Sequence, residues 1–239
     1  MSMRIMIMTE RNFSAQFLND SNGPLCYTVY QIYTNTVPKR GRTNMEYNAS
    51  ATKHLFWFVE TRETARLLEI HSMDQVRQIV IDENLYQQKS RARLVNEFGC
   101  IRKRLEALPD ELRKMMLTAD IHTGKLITFI GCMAADRLLF DLVYQVYRKK
   151  LYLGETNFTN ADLNIFFKEK QEQNEKAASI TDATIQKLKQ VYCRYMFEAG
   201  LLTGKISEKQ VVRAYIDPEL GLALEHNGME QYLAALAGH

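Results

Sequence analysis

The most telling pattern in the chain is a stretch, residues 125–150, whose apolar positions do not keep to one stripe. Ile127, Phe129, Ile130, Met133, Leu138, Leu139, Leu142, Val143, Val146 and Tyr147 run nearly all the way round a helical wheel. A helix apolar on every side lies inside a protein or inside a bilayer. A bilayer span needs roughly 18–20 consecutive apolar residues. Asp136, Arg137 and Asp141 interrupt this run, leaving an uncharged part, 126–135, of about half the required length. The stretch is therefore expected to be the central buried helix of a water-soluble helical protein. Asp136 and Asp141 are expected in structural ion pairs, with Arg137 and Arg148 offering the charge, because an unpaired buried charge is costly.

The flanking segments read as helices that pack around it. HLFWFVETRETARLLE predicts a first helix with Phe58, Ala65 and Leu68 broadly on one face. Ser72 caps a second, with Asp74 favouring the helix dipole and Val76, Ile79 and Val80 as its apolar positions. A third starts near Ser90, where Leu94, Phe98, Ile101, Leu105 and Leu108 form an amphipathic face. Pro109 ends it and opens the next, DELRKMMLT. A short helix, a turn and a longer basic helix follow the order of a helix-turn-helix.

Beyond the central stretch Gly154 breaks the chain, and Thr159 caps a helix that runs into the charged KEKQEQNEK, a solvated helix end or loop. Ser179 or Thr181 starts a strong helix whose apolar face is Ile185, Leu188, Tyr192, Tyr195 and Met196, with Gly200 as its stop. LLTGKISEKQVVRAYI then reads as strand, turn and strand, which is how a winged helix ends, and helices around 219–225 and 229–236 close the chain. The fold class is thus mainly α: a helical bundle around a central buried helix, with helix-turn-helix and winged-helix-like subdomains. Residues 1–46 are an N-terminal extension, 47–120 a helix-turn-helix-like subdomain, and 121–239 a helical subdomain with a winged-helix-like part. Within the extension, residues 5–8 fit a short strand, 25–33 fit either a helix behind Pro24 or a strand, and 37–42 form an exposed basic loop or an ordinary connector.

Composition adds constraints. A chain of 239 residues can bury a real core unaided, and sparse Gly and Pro argue against a long disordered linker. A net charge of +3 confines any polyanion-binding surface to local patches. Cys26, Cys100, Cys132 and Cys193 are scattered without a CxxC pair, and the opening MSMRIMIMTE has too short an apolar run for a signal peptide, so a reducing cytoplasm fits.

Catalytic chemistry finds no foothold. His54, His71, His122, His226 and His239 sit apart, with no HExxH or Cys/His spacing for a metal, and there is no P-loop, no GxGxxG and no GxSxG elbow. The expectation is a protein that is not an enzyme, with no cofactor.

Two helices carry basic outer faces. In the helix from Ser90 the side opposite Leu94, Phe98 and Ile101 presents Arg93, Asn96, Lys103 and Arg104, with Lys89 just before and Arg91 and Arg102 on the flank. In the helix from Thr181 it presents Lys187, Gln190 and Arg194, and the hairpin adds Lys205, Lys209 and Arg213. Arg and Lys reach phosphates and guanine edges, and Asn and Gln read adenine. Double-stranded DNA is one reading of these faces. Acidic patches on partner proteins are another, RNA is a third, and an ordinary solvated surface accounts for such faces as well.

YNAS at 47–50, ETRETARLL, VRQIVIDENLYQQKSRARLVNEFGCIRKRLEAL, FTNADLNIFFKEK and LKQVYCRYMFEAGLL resemble the BrxA family of bacteriophage exclusion (BREX) defence clusters. The similarity runs from about residue 47 to the C-terminus in separated blocks, and residues 1–44 depart from the usual pattern. It implies a non-enzymatic, all-helical core component of phage defence with helix-turn-helix-like parts, expected to bind double-stranded DNA. Its genomic companions would be an adenine-specific DNA methyltransferase, a large ATPase and a phosphatase-like protein. The family has also carried the label of a putative inner-membrane protein, against which the interrupted central stretch argues. The DNA contacts named above come from the helical wheel, not from the resemblance.

Overall fold

The computed structural model describes residues 46–238; the expectations for 1–45, Cys26 among them, lie outside the described residues. A 3-10 turn, Ser50–Lys53, precedes helices α1 (Phe58–Leu67), α2 (Met73–Asp82), α3 (Arg91–Glu106) and α4 (Asp110–Thr118). Their boundaries follow from local chemistry. Ser72 and Gln75 form a capping box on α2, Ser90 caps α3 by accepting from the Arg93 amide, and Pro109 stands at the N-cap of α4. Leu94, Phe98, Ile101, Leu105 and Leu108 of the α3 side are all buried, as their spacing predicts.

Around these sits α5 (Ile121–Ala135), buried on almost every side and packed against α1, α3 and α4. The approach to α3 is close: a Cβ on Gly131 would lie 3.2 Å from the Arg104 carbonyl oxygen, a tight contact that glycine avoids.

The central stretch is not one helix. It breaks at Asp136, whose backbone is extended (φ −138°, ψ 104°), then continues as α6 (Arg137–Leu142), a π turn (Val143–Tyr147) and α7 (Arg148–Leu153). The break has a cause in the side chain. Asp136 Oδ1 accepts the Leu138 and Leu139 amides at 3.0 and 3.3 Å, capping α6, and Oδ2 accepts the Tyr192 hydroxyl at 2.8 Å. The ion pair expected for Asp136 is thus replaced by capping hydrogen bonds. Burial pushes its carboxyl up to about 6, against the pull of the Tyr192 and amide donors. Asp141 does pair, but with a cation from a distant helix: Lys170 Nζ lies 3.3 Å away and the Tyr47 hydroxyl donates at 2.5 Å. Arg137 lies over the Tyr47 ring and Arg148 over Tyr144.

Gly154 ends α7, and a two-residue strand β1 (Asn157–Phe158) leads to α8 (Asn160–Gln173), short α9 (Glu175–Ala178), α10 (Asp182–Glu198), β2 (Leu202–Lys205) and β3 (Glu208–Val211). Thr159 with Asp162 boxes α8, and Thr181 caps α10. The strands form one antiparallel sheet of order β1-β3-β2, with Phe158 opposite Lys209 and Lys205 opposite Glu208. α11 (Pro218–His226) then packs on α4, and α12 (Glu230–Ala237) on the π turn and α7.

The second half is braced by lysines turned inward. Lys150 lies 2.9 Å from Glu155 and 3.1 Å from Asp162, and Lys189 donates to Asn164 at 2.6 Å. With Lys170 and Lys209, these are the buried lysines among the described residues. Each ammonium meets an oxygen, which is the condition for burying it.

Candidate nucleic-acid interface

On α10, Lys187, Gln190 and Arg194 are exposed, while Ile185, Leu188, Tyr192, Tyr195 and Met196 are buried. The helix is therefore held by its apolar face and presents the cationic residues outward. It runs through Gly200 into the hairpin, which lies against it. Lys205 projects from the end of β2 and is exposed. The turn after it depends on Gly204 at φ +87°, where a Cβ would stand 2.6 Å from the Glu208 carbonyl oxygen.

Two of the residues expected to contact a polyanion are not on the surface. Arg104 is 3 % exposed. Its guanidinium donates to the Phe56 and Leu55 carbonyls at 2.7 and 2.9 Å and to the Tyr195 hydroxyl at 2.9 Å, with the Trp57 and Tyr195 rings alongside. It is a buried tie between α3, the segment before α1, and α10. Lys209 is likewise turned into the sheet, donating to Asn160 Oδ1 at 2.9 Å and the Ile206 carbonyl at 3.0 Å. Arg213 is exposed, yet its guanidinium donates to the Ala237 carbonyl and so secures the end of α12.

The remaining expected residues of α3 do face outward: Lys89, Arg91, Arg93, Asn96 and Lys103 are exposed. Arg91 sits 3.9 Å from Asp82, with both side chains largely in solvent, and Arg102 on the flank is occupied by Glu106 and Asp74. Lys103 has a neighbour the wheel does not reveal. Lys53, on the 3-10 turn that packs against α10, shares the surroundings of His54 with it. Burial, then Arg104, Lys103 and Lys53, push that imidazole down to about 4, so it adds no charge at neutral pH. Lys53 and Lys103 thus both act on His54, while Lys187, Gln190 and Arg194 share the outer side of α10. The 89–96 end of α3 lies roughly 12 Å or more along the helix from the Arg104 tie, at 1.5 Å per residue.

No helix among the described residues is long and apolar enough to cross a membrane. The molecule is a mainly helical protein that carries, within its second half, a strand, three helices and a hairpin, with cationic residues on the outer side of α10. Comparison with known proteins places it more closely. The BrxA family profile matches residues 45–228, and the chain belongs to the BrxA family. A relative from Bacillus cereus (strain H3081.97), "BREX protein BrxA", is 33 % identical over 193 residues, which is 80 % of this chain and 96 % of that one. An uncharacterized protein from Magnetospirillum magneticum has the same fold by crystal structure, at a TM-score of 0.70 and 20 % identity over 82 % of this chain and all of that one.

Proposed function

We propose that the protein is a non-enzymatic, cytoplasmic component of bacteriophage exclusion defence that binds double-stranded DNA through the outer face of α10 and the hairpin that follows. Membership of the BrxA family and the similarity to the Bacillus cereus BREX protein BrxA support the defence role. The observation that carries DNA binding is the exposure of Lys187, Gln190 and Arg194 on one side of α10, within the order β1, α8, α10, β2, β3. With the short α9 between α8 and α10, that order resembles a winged helix, and in a helix-turn-helix the second helix is the one that enters the major groove. Gln190 is suited to adenine, Lys187 and Arg194 to phosphate or guanine, and Lys205 to the backbone. The 47–120 part offers further exposed residues to the duplex: Lys89, Arg91, Arg93 and Asn96 at one end of α3, and Lys53 and Lys103 toward the other. The 121–239 part supplies the main face. Arg104 and Lys209 drop out of the contact set.

Duplex binding measured by fluorescence anisotropy across a salt series tests this reading. Lys187→Glu with Arg194→Glu weakens binding by more than tenfold and flattens the salt dependence, since each lost phosphate contact removes about one released counterion. The melting temperature stays put, because both side chains are exposed. A double variant that binds duplex as well as wild type at low salt refutes the placement. Gel filtration with the companion methyltransferase, ATPase and phosphatase-like protein separates the rival reading: a stable complex together with no DNA binding makes this an interaction subunit.

A further inference from the structure

The chain's one tryptophan stands in a backbone conformation that few side chains accept. Trp57, at the N-cap of α1, has φ +51° and ψ +50°, in the left-handed region where a bulky residue is a genuine outlier. Glycine or asparagine would sit there at less cost. A residue held in such a conformation is fixed by its surroundings, and such residues cluster where ligands are clamped. The surroundings here are specific. Arg104, itself buried, lies 5.7 Å from the indole centroid and backs the half-buried ring from the core side. The His54 ring stands 5.8 Å away, tilted by 47°. The indole N–H makes no hydrogen bond among the described residues, and it is not sealed from solvent either.

Charge around these two rings has one sign. The charged groups that act on His54 are Arg104, Lys103 and Lys53, all cations. Lys53 and Lys103 are exposed, and neither ammonium has an ion-pair or hydrogen-bond partner among the described residues. Elsewhere on α3 the cations Arg91 and Arg102 do have carboxylates beside them. Two unpaired cations around a partly open aromatic pair match what a single strand presents, phosphates together with bases whose faces are uncovered. A duplex presents the phosphates but keeps its bases stacked, and an acidic peptide presents charge without the rings.

We propose that Trp57, Lys53 and Lys103 form a site for single-stranded nucleic acid, with an unpaired base stacked on the indole and its flanking phosphates at the two lysines. It does not depend on the duplex reading, which the outer face of α10 carries. A ring already fixed by Arg104 and by its own backbone suits the task, because it loses little freedom on binding.

The test uses the full chain, oligothymidylate and oligouridylate of about 12 nucleotides, and heparin as a polyanion without bases. Because Trp57 is the one tryptophan, its fluorescence reports on this site alone. The oligonucleotides quench it saturably, the one acting at lower concentration showing whether DNA or RNA suits the site better, and heparin at matched charge does not quench it. Lys53→Glu with Lys103→Glu keeps the fluorophore and the melting temperature, and raises the oligonucleotide concentration needed for quenching about tenfold or more, with a shallower salt dependence. Trp57→Leu, followed by the anisotropy of a labelled strand, weakens binding about tenfold, the scale of one stacked base. Lys187→Glu with Arg194→Glu leaves the quenching as in wild type. Oligonucleotides that do not quench, heparin that quenches as strongly, or a lysine variant quenched like wild type overturns the site, whether or not the Trp57 variant folds. Duplex binding through α10 is read separately and survives each of these results.

Discussion

Replacing Arg104 with methionine separates architecture from recognition. On the structure the guanidinium holds the buried Phe56 carbonyl and Tyr195 hydroxyl and the part-buried Leu55 carbonyl. Each hydrogen bond from a charged donor contributes about 1.5–3 kcal/mol, and each buried acceptor left alone costs about 1–3 kcal/mol. Methionine recovers part of this, because a buried guanidinium carries a desolvation penalty of several kcal/mol. The balance is a loss of about 3–5 kcal/mol, the range seen when one partner of a buried charged network is removed. For a domain of this size that lowers the melting temperature by roughly 10 °C. Circular dichroism at 222 nm reads the melt, and anisotropy at a temperature where both proteins are folded reads DNA affinity, which is unchanged. A variant that melts with wild type but has lost DNA affinity refutes the argument and puts Arg104 back at the interface.

Three further outcomes follow from the same structure. Glu97 is 2 % exposed, and its Oε1 meets no donor; burial, then Glu60, pushes its carboxyl up to about 7, against a pull from Gln88. The folded state therefore keeps a proton that the unfolded chain gives up near 4.5, so stability falls as pH rises through that interval and is level above it. Glu97→Gln removes this slope: in urea melts it gains at most about 3 kcal/mol over wild type at pH 8 and nothing at pH 4, and an unchanged difference between the two pH values refutes the burial argument. Tyr192→Phe takes one of three donors from Asp136 and costs about 1–3 kcal/mol, read in the same melts; no loss means the junction is held otherwise. Gly204→Ala forces the hairpin apart against Glu208 and increases hydrogen exchange at the β2 and β3 amides, while α3 and α5 exchange as in wild type.

Much of the helical order was legible because its signals are local. Ser72, Ser90, Thr159 and Thr181 all cap the helices their positions predict, and the periodic apolar residues of α3 and α10 are the buried ones. The hairpin was readable from its turn, whereas β1 was not, since two residues carry no alternation to detect. Asp136 escaped because a capping carboxylate inside an apolar run looks like a helix-internal charge until Tyr192 is brought to it from 56 residues away. The site was less legible than the fold. Arg104 lies only about 60° round the wheel from Ile101, at 100° per residue, on the shoulder of the buried stripe, and only the carbonyls of residues 55 and 56 show why it turns in. Lys209 and Lys53 depend on neighbours from other elements, which no pattern within one segment contains.

The kink at Asp136 has one more consequence. A 15-residue rod reaches about 22 Å, short of the roughly 30 Å of hydrocarbon that a lipid-crossing segment must fill. Without it, α5, α6 and α7 would join into a single rod of about 50 Å. One carboxylate, by ending the rod early and starting the next at an angle, limits how far the chain's greasiest part can extend in a straight line.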